Sequence, residues 1–479
     1  MRVAVIGAGV AGLAVAIRMK AKGYDVDVYE KNSTVGGKLT VLRSDGFTWD
    51  GGPSFFTDPS SLLEVLSESG RDPRDYFQYY DLDEACRYFY DDGMVFNGYD
   101  SVCKLAKEFA TKFNEDENSV HNFFQKIGQA YDHGGQRFMN YPFTPSSLIN
   151  KQAIVSFVQT PKSMLKGSMH AMHARYFKNQ RTIDFFDRFA TYNGSNPYRT
   201  PALLSTLPVL EHRGGAYQPA GGMRSIITAL EKCACDMGIS FHMNAAVMPC
   251  IKNGICVGIE GSLRQESDIV ITAGEIAEIY KKTDRNKYKK HIQKVPSASA
   301  YVLYLGVKTI PGIELYLHNI LFSPDYAAEI KNMWDEHRPA DVPTIYINNT
   351  SYLEKSHTKK GFQNWFVMVN VPAGTKDEDL RATRENILTR LGSVFKIDIR
   401  PRISAEYSSL TPCVIQDTFL SYKGSIYGLA SNSLSGAFFR PRNNSDIPGL
   451  YHVGVTVHPG GGIPLALRSA KIVSDMITA

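Results

Sequence analysis

The sequence predicts an α/β fold whose main unit is a Rossmann-like nucleotide-binding domain, and three observations support this prediction. A short apolar run is followed by the glycine pattern G-x-G-x-x-G at residues 7–12 and then by a helix-like stretch. A second predicted strand, Asp25–Tyr29, ends at the acidic residue Glu30. Alternating strand and helix patterns return in the middle and at the end of the chain. The nucleotide domain is therefore predicted to be discontinuous, built from residues 1–98, 215–290 and 446–479.

Each glycine of the opening motif has a predicted role. Gly7 permits the tight turn between strand and helix, Gly9 lets a pyrophosphate approach the backbone, and Gly12 lets the helix pack closely on the strand. The N-terminus of the helix offers unpaired N–H groups and a partial positive charge to the phosphates. Glu30 can accept hydrogen bonds from a ribose diol, and its charge would repel a 2′-phosphate. The alternative is a glycine-rich turn without a ligand.

The composition excludes several classes of protein. The 479 residues are 43% hydrophobic, which is enough for a large core and for two to three domains. A net charge of +5 is too small to indicate nucleic-acid binding. Seven scattered cysteines without a histidine cluster predict reduced thiols in a cytoplasmic protein and no metal site. No run approaches the ~18 apolar residues that cross a bilayer, so any membrane association is predicted to be peripheral.

The segments between the parts of the nucleotide domain predict two further regions. Residues 99–214 are rich in aromatic residues and in helical apolar periods, which predicts a helical region. Residues 291–445 contain strand-like runs such as SAYVLYLGV and NWFVMVNV, and a helix is predicted from about Asp377 to Leu391. A hairpin is predicted around Asp45-Gly46, and a last helix is predicted to run to the C-terminus.

Four segments together resemble a known family. They are the opening motif with Gly36-Gly37-Lys38, the turn Asp50-Gly51-Gly52-Pro53, the stretch 215–223, and the run His458-Pro459-Gly460-Gly461-Gly462-Ile463-Pro464. The chain resembles, over nearly its whole length, the flavin-dependent carotenoid desaturases of the phytoene desaturase type, which share the fold of amine oxidases and of prenylated-GTPase escort proteins. Lys38 and the run GPSFFT at 52–57 make it most similar to the 1-hydroxycarotenoid 3,4-desaturases. Phytoene desaturases usually have arginine at the position of Lys38, and lysine cannot form the bidentate contact of arginine with a phosphate.

The resemblance implies FAD as the cofactor. The glycine loop would hold the pyrophosphate, Glu30 the adenosine ribose, Val247 the adenine, and the start of the last helix the flavin. The residues implied to bind FAD are Gly7, Ala8, Gly9, Ala11, Gly12, Glu30, Lys31, Gly37, Lys38, Leu39, Gly52, Pro53, Val247, Gly454, Gly462, Ile463 and Pro464. A helix that begins at Gly462-Ile463-Pro464 would direct free N–H groups and its positive end toward the flavin. The alternative is an ordinary glycine-rich turn before a helix.

The implied reaction is the desaturation of an acyclic carotenoid in carotenoid biosynthesis, with a 1-hydroxycarotenoid at C3–C4 as the expected substrate. Flavin N5 would accept a hydride, a proton would leave the neighbouring carbon, and oxygen or a quinone would reoxidise the flavin. No catalytic acid or base is identified. Tyr192 and Asn193, in the segment Arg188–Pro197, are predicted to line the substrate site, and the favoured alternative for Tyr192 is a packed core position. A buried hydroxyl end would need a polar partner that the sequence does not identify.

A substrate dissolved in a bilayer implies an entrance at the lipid surface, and the predicted entrance is the segment Phe143–Phe177. Its apolar residues are Leu148, Ile149, Ile154, Val155, Phe157, Val158, Met164, Leu165, Met169 and Met172, and its basic residues are Lys151, Lys162, Lys166, Arg175 and Lys178. This mixture is typical of a peripheral, interfacial amphipathic segment. The alternative is two ordinary surface helices. His170 and His173 could share a helix face, but a metal site is not predicted there because no carboxylate or cysteine lies close by.

Other functions remain open at this point. One is desaturation of phytoene or dehydrosqualene. Another is amine oxidation. Against it, the C-terminal segment lacks the cysteine of covalent-flavin enzymes, and Val455–His458 lacks an aromatic-cage pattern. The third is a non-catalytic, lipid-carrying escort protein on the same fold, against which the complete pyrophosphate motif argues.

Overall fold

The computed structural model describes residues 1–142 and 160–478. The strands are β1 Arg2–Ile6, β2 Asp25–Tyr29, β3 Val41–Ser44, β4 Phe47–Asp50, β5 Tyr79–Leu82, β6 Glu84–Phe89, β7 Val95–Tyr99, β8 Ala216–Pro219, β9 Ser240–His242, β10 Val247–Lys252, β11 Ile255–Gly261, β12 Gln265–Glu266, β13 Ile269–Thr272, β14 Ser299–Lys308, β15 His318–Leu321, β16 Ile345–Asn348, β17 Phe362–Val371, β18 Ile403–Leu410 and β19 Leu450–His452. The α-helices are α1 Val10–Ala21, α2 Pro59–Glu68, α3 Val102–Phe113, α4 Glu117–Ala130, α5 Gln136–Asn140, α6 Met169–Tyr176, α7 Gln180–Asp187, α8 Pro208–His212, α9 Arg224–Asp236, α10 Ile276–Thr283, α11 Arg285–Ile292, α12 Tyr326–Trp334, α13 Leu380–Phe395, α14 Pro412–Phe419, α15 Leu434–Phe438 and α16 Ile463–Thr478.

The first sheet is the predicted nucleotide-binding sheet. Its five parallel strands lie in the order β19-β13-β1-β2-β9, so strands from the start, the middle and the end of the chain are neighbours. Helix α1 packs against α9 and α16, and their apolar faces share one core. Both β1 and α1 are mostly buried, as parallel strands covered by helices require. The predicted α/β fold class is confirmed.

The second sheet forms a separate layer of seven strands, in the order β18-β14-β17-β16-β15-β6-β7. Its longest pairing joins β14 and β17 over ten antiparallel residue pairs, which confirms both strand-like runs. Strands β6 and β7 also belong here, because β6 pairs in parallel with β15. The sequence prediction had placed residues 84–98 with the nucleotide domain. The difference arises because β6 and β15 are more than 200 residues apart, and no local pattern reveals such pairing.

Two shorter predictions are also confirmed. Strands β3 and β4 form the hairpin around Asp45-Gly46, whose φ values of +49° and +78° match a two-residue turn with both central residues left-handed. The predicted helix near Asp377 begins as a 3₁₀ turn, Asp377–Asp379, and continues as α13 to Phe395.

The helical region is held together by a core of aromatic side chains. Phe96, Phe109, Phe123, Phe185 and Phe186 are fully buried and lie in contact with one another. They come from β7, α3, α4 and α7, so strands of the second sheet and helices of this region share one core. The helical character predicted for residues 99–214 is confirmed in the described part.

The predicted membrane-entrance segment is only partly described. Residues 143–159, including Leu148, Ile149, Lys151, Ile154, Val155, Phe157 and Val158, lie outside the described residues. In the remainder, Met164, Met169 and Met172 are buried in the aromatic core. The basic residues Lys162, Lys166, Arg175 and Lys178 are exposed. These three methionines are therefore not available at the surface of the described part of the segment.

No helix within residues 1–142 and 160–478 is long and apolar enough to cross a membrane.

The two histidines of α6 have a partner that the sequence did not reveal. The carboxylate of Asp187 lies 2.7 Å from Nδ1 of His170 and 2.6 Å from Nδ1 of His173. The assumption that no carboxylate lies near them is therefore wrong, since Asp187 reaches them from the end of α7. The contact joins α6 to α7, and it holds the pKa of His170 above its ordinary value.

Candidate functional site

The turn between β1 and α1 forms a narrow glycine cradle. Gly7 has φ +103° and donates its N–H to the Tyr29 carbonyl at 2.7 Å, which ties the turn to β2. A Cβ on Gly12 would lie 1.9 Å from the Gly7 carbonyl oxygen, so only glycine at this position lets the first turn of α1 pack this closely on the preceding turn. The first N–H groups of α1 have no partner within the helix and form a site suited to a phosphate.

Glu30 closes the far side of this cradle. It is 5% exposed, and its carboxylate accepts hydrogen bonds from the Ala8 N–H at 2.9 Å, the Asn32 N–H at 3.0 Å and Asn32 Nδ2 at 2.7 Å. A carboxylate offers about four acceptor positions, so one remains on the oxygen that Ala8 contacts. Glu30 lines the cavity described below, and the remaining position fits one ribose hydroxyl.

A second glycine loop, residues 36–39, lies directly on the first. A Cβ on Gly37 would lie 3.4 Å from Cα of Gly9, and the Gly36 N–H donates to the Ala8 carbonyl at 2.8 Å. Arg224, at the start of α9, holds this loop by donating Nη1 to the carbonyls of Val35 at 2.7 Å and Leu39 at 3.0 Å. Sequence reasoning missed Arg224, and its position directly after the Gly221-Gly222-Met223 run was the available signal.

Replacing Arg224 by methionine is expected to weaken FAD binding by roughly tenfold or more. Hydrogen bonds from a charged donor contribute about 1.5–3 kcal/mol, and their loss would free the loop that supports the pyrophosphate. The measurement is titration of the apoprotein with FAD, followed by quenching of flavin fluorescence. Arg71→Met is the matched control, because Arg71 donates to the Asp236 carbonyl at the other end of α9. Equal FAD affinity in Arg224→Met and wild type would contradict this role.

The turn Asp50-Gly51-Gly52-Pro53 packs against the stretch 215–223. Asp50 is buried and accepts the Met223 N–H at 2.9 Å, and burial raises the pKa of its carboxyl to about 7. A Cβ on Gly52 would lie 2.1 Å from the Lys38 carbonyl oxygen. Tyr304 donates its hydroxyl to the Gly51 carbonyl at 2.9 Å. The motifs that are separate in sequence therefore form one continuous wall.

The half-buried Lys38 and the buried Glu275 add two ionisable groups to this wall. Both side chains line the same cavity as Glu30. Burial lowers the pKa of Lys38, and it raises the pKa of Glu275 to about 7 although the Lys38 charge opposes that shift. Lys38 Nζ lies 3.4 Å from the Ile426 carbonyl oxygen. The lysine is thus placed at the predicted phosphate path as a single point charge.

The C-terminal glycine run completes the site. Gly454 and Gly462 have φ values of +120° and +105°, and α16 begins at Ile463 with Pro464 as its second residue. Asn443 donates Nδ2 to the carbonyls of His452 and His458, at 3.1 and 2.9 Å, and fixes the connection from β19 to α16. Gly462 and Ile463 line the same cavity as Gly9 and Val10, so the N-termini of α16 and α1 face one cavity.

A single cavity of about 650 Å³ connects these elements. Most of the residues implied to bind FAD line it, including Gly7, Gly9, Ala11, Glu30, Lys31, Gly37, Lys38, Leu39, Gly52, Pro53, Val247, Gly454, Gly462 and Ile463. Ala8, Gly12 and Pro464 do not line it. Ala8 and Gly12 act on the cradle from behind, through the Glu30 bond and the close helix packing. The glycine cradle, Glu30 and two helix N-termini are a donor and acceptor set that fits FAD.

The cavity continues beyond this cradle into a mainly apolar chamber. Phe55, Ile320, Ile330, Met333, Phe366 and Met368 line it together with Cys86, Arg188 and Tyr192. Tyr192 lines the chamber, as predicted for a substrate-lining residue. It also packs on Phe55 with ring centroids 6.1 Å apart, as predicted for a core residue. The two predicted roles are therefore compatible. Asn193 does not line the cavity.

A buried charged pair supports the chamber wall. Arg188 donates Nη2 to the Tyr88 hydroxyl at 2.6 Å and lies 4.0 Å from Oε1 of Glu211. The phenol of Tyr192 donates to the other oxygen of Glu211. Glu211 was missed from the sequence, because it reaches the cavity wall only through other side chains, Tyr192 and Arg188, and lies 23 residues after Arg188.

Three comparisons relate the chain to known proteins. The family model for flavin containing amine oxidoreductases matches residues 10–478. A 1-hydroxycarotenoid 3,4-desaturase of Flavobacterium sp. (strain P99-3) is 36% identical, covering 99% of this chain and 98% of that protein. A 4,4'-diapolycopene oxygenase of Methylomonas sp. is 30% identical, covering 100% and 98%. Among solved structures, a putrescine oxidase superimposes with a TM-score of 0.65 at 16% identity, covering all of both chains, which shows the shared fold.

Proposed function

The chain belongs to the family of flavin-containing amine oxidoreductases, and on that premise we propose that it desaturates an acyclic carotenoid, with a 1-hydroxycarotenoid at C3–C4 as its substrate. The protein is an FAD-dependent oxidoreductase. The observation that carries the proposal is the continuous cavity, which leads from the glycine cradle into an apolar chamber. A polyene hydrocarbon is a ligand that such a chamber can desolvate without loss of hydrogen bonds.

Desaturation removes a hydride and a proton from adjacent carbons, and FAD, when bound, supplies the two-electron acceptor. The residues of the chain provide alignment and exclusion of water. Ser54 donates to the Tyr346 hydroxyl at 3.0 Å, and that hydroxyl lies 2.8 Å from Nδ1 of His318. Phe55 stacks near His318 with ring centroids 4.6 Å apart. This connected wall gives the reacting segment of a polyene a fixed surface against which to align.

The buried cation Arg188 disfavours one competing function. It lines the chamber, and its guanidinium lies over the rings of Tyr88, Phe189 and Tyr192 at 5.4, 4.9 and 5.4 Å. The face of Tyr192, which lines the chamber, is therefore already occupied by an arginine and is not free to stabilise an ammonium substrate. This supports a hydrocarbon over an amine as the substrate.

We also propose that the carotenoid enters from the surface of a bilayer and that oxygen or a quinone reoxidises the flavin. Both steps follow from the chemistry of the proposed substrate, which is insoluble in water and delivers two electrons per turnover. Desaturation of phytoene or of a diapophytoene is the alternative within the same reaction class.

The function is tested with FAD-loaded protein and liposomes that contain either a 1-hydroxycarotenoid or phytoene. The expected result is a red shift of the carotenoid absorption with the hydroxylated substrate, and a product lighter by two hydrogen atoms. A product that has gained oxygen would instead indicate an oxygenase, the activity in the name of one relative. Release of ammonia from amines, or no conversion of any carotenoid by flavin-loaded protein, would contradict the proposal.

A further inference from the structure

One face of α12 contributes a polar group to the otherwise apolar chamber. Tyr326, Glu329, Ile330, Met333 and Trp334 all line the cavity, and their spacing places them on one side of the helix. Tyr326 and Glu329 are each 3% exposed. The side chains of this face pack with Ile320 and Phe322, away from the core that surrounds the glycine cradle. The polar group therefore lies in the substrate part of the cavity.

The hydrogen bonds of this group are incomplete within the described protein. Glu329 accepts the Thr344 N–H at 3.0 Å and the Thr344 hydroxyl at 2.6 Å, both on one carboxylate oxygen. The Tyr326 hydroxyl and Trp334 Nε1 are buried and have no hydrogen-bond partner among the described residues. Leaving buried polar groups unpaired is energetically unfavourable. A purely hydrocarbon ligand would leave them unpaired, whereas a hydroxyl both donates and accepts.

The position of Thr344 gives the distance from Tyr326 and Glu329 to the wall that contains Ser54. Thr344 and Tyr346 both line the cavity, while Ile345 between them belongs to the core on the other side of the strand. Two residues along a strand span about 7 Å. Thr344 contacts Glu329, and Tyr346 contacts Ser54. The polar group is thus only a few carbon–carbon bonds away from the wall formed by Ser54 and Phe55.

We propose that Tyr326 and Glu329 bind the terminal hydroxyl of the substrate and thereby place its C3–C4 bond against the Ser54–Phe55 wall. The inference rests on the proposed function and names the specificity residues of the same site. The Tyr326 hydroxyl donates to the substrate oxygen, and the free oxygen of Glu329 accepts the substrate O–H. The C3–C4 bond lies only two carbons from the hydroxyl-bearing C1, which agrees with the short separation between Thr344, just before β16, and Tyr346 within it.

The test compares kcat/KM for a 1-hydroxycarotenoid with that for its hydroxyl-free counterpart, both in liposomes. Tyr326→Phe is expected to lower the ratio of the two values by roughly tenfold, because one hydrogen bond to the substrate is lost. Glu329→Gln keeps an acceptor for Thr344 and is expected to lower the ratio as well. Tyr90→Phe is the matched control, because the Tyr90 hydroxyl is also buried without a partner among the described residues but does not line the cavity.

The outcomes separate the inference from the proposed function. If wild-type protein discriminates in favour of the hydroxylated substrate and Tyr326→Phe retains the full ratio, the inference is wrong and the proposed function stands. If wild-type protein converts neither carotenoid, the proposed function and the inference both fail. A loss of activity that is equal for both substrates, in Tyr326→Phe and in Glu329→Gln, would show a structural role and would also overturn the inference.

Discussion

A Gly12→Ala protein is expected to lose nearly all of its flavin while it remains folded. The new methyl group would lie 1.9 Å from the Gly7 carbonyl oxygen and 3.2 Å from Cβ of Ala273. Relief of that clash requires α1 to move away from the turn, and overpacking of this kind costs about 1–3 kcal/mol. Because the first N–H groups of α1 form the predicted pyrophosphate site, the cost is expected to fall on FAD binding, and affinity should fall by up to about 100-fold.

The measurement for Gly12→Ala is the flavin content of the purified protein together with FAD titration of the apoprotein. Gly134→Ala is the matched control, because a methyl group there would meet only Oγ1 of Thr160 at an ordinary 3.8 Å. Circular dichroism checks that both variants are folded. Wild-type flavin content in Gly12→Ala would show that the glycine cradle does not hold the cofactor.

An Arg188→Met protein is expected to lose about 3–5 kcal/mol of stability. Arg188 is 5% exposed and Glu211 is fully buried, so removal of the guanidinium leaves a carboxylate in the aromatic core without its counter-charge. Methionine has a similar length and leaves little space unfilled. The loss is therefore electrostatic in origin.

The stability of Arg188→Met is measured by equilibrium unfolding in urea, followed by circular dichroism. The double variant Arg188→Met with Glu211→Gln removes both charges and is expected to recover more than half of the loss, because no unpaired ion remains. A single variant as stable as wild type, or a double variant no more stable than the single one, would contradict a role for the buried pair.

Local spacing was sufficient to predict the glycine turn and the acidic residue beside it. The glycines at 7, 9 and 12 and the acidic residue at the end of β2 lie within 30 residues, and each acts through its immediate neighbours. The hairpin at Asp45-Gly46 was predictable for the same reason, since two left-handed residues specify that turn. These features depend on backbone conformation that a few residues determine.

The contacts that shape the other half of the site are long-range. Arg224 reaches a loop more than 180 residues earlier, Glu329 lines the cavity and accepts hydrogen bonds from Thr344, and β6 pairs with β15 from a distant part of the chain. Asp187 binds two histidines on a neighbouring helix. A single sequence carries no local signal for which polar group meets which partner once the helices and sheets pack. The polar side chains of α12 gave no signal in the sequence, because they are recognisable only from the cavity that they share with the glycine cradle.

The central claim is that FAD held by the glycine cradle receives the electrons of a carotenoid in the adjoining chamber. The most direct test is an anaerobic single turnover of flavin-loaded protein with a 1-hydroxycarotenoid in liposomes, in which flavin and carotenoid absorption are followed together. We expect the oxidised-flavin band to disappear in step with a red shift of the carotenoid, with one flavin reduced for each double bond formed. A carotenoid that reacts while the flavin stays oxidised, or a flavin that is reduced by an amine and not by the carotenoid, would contradict the claim.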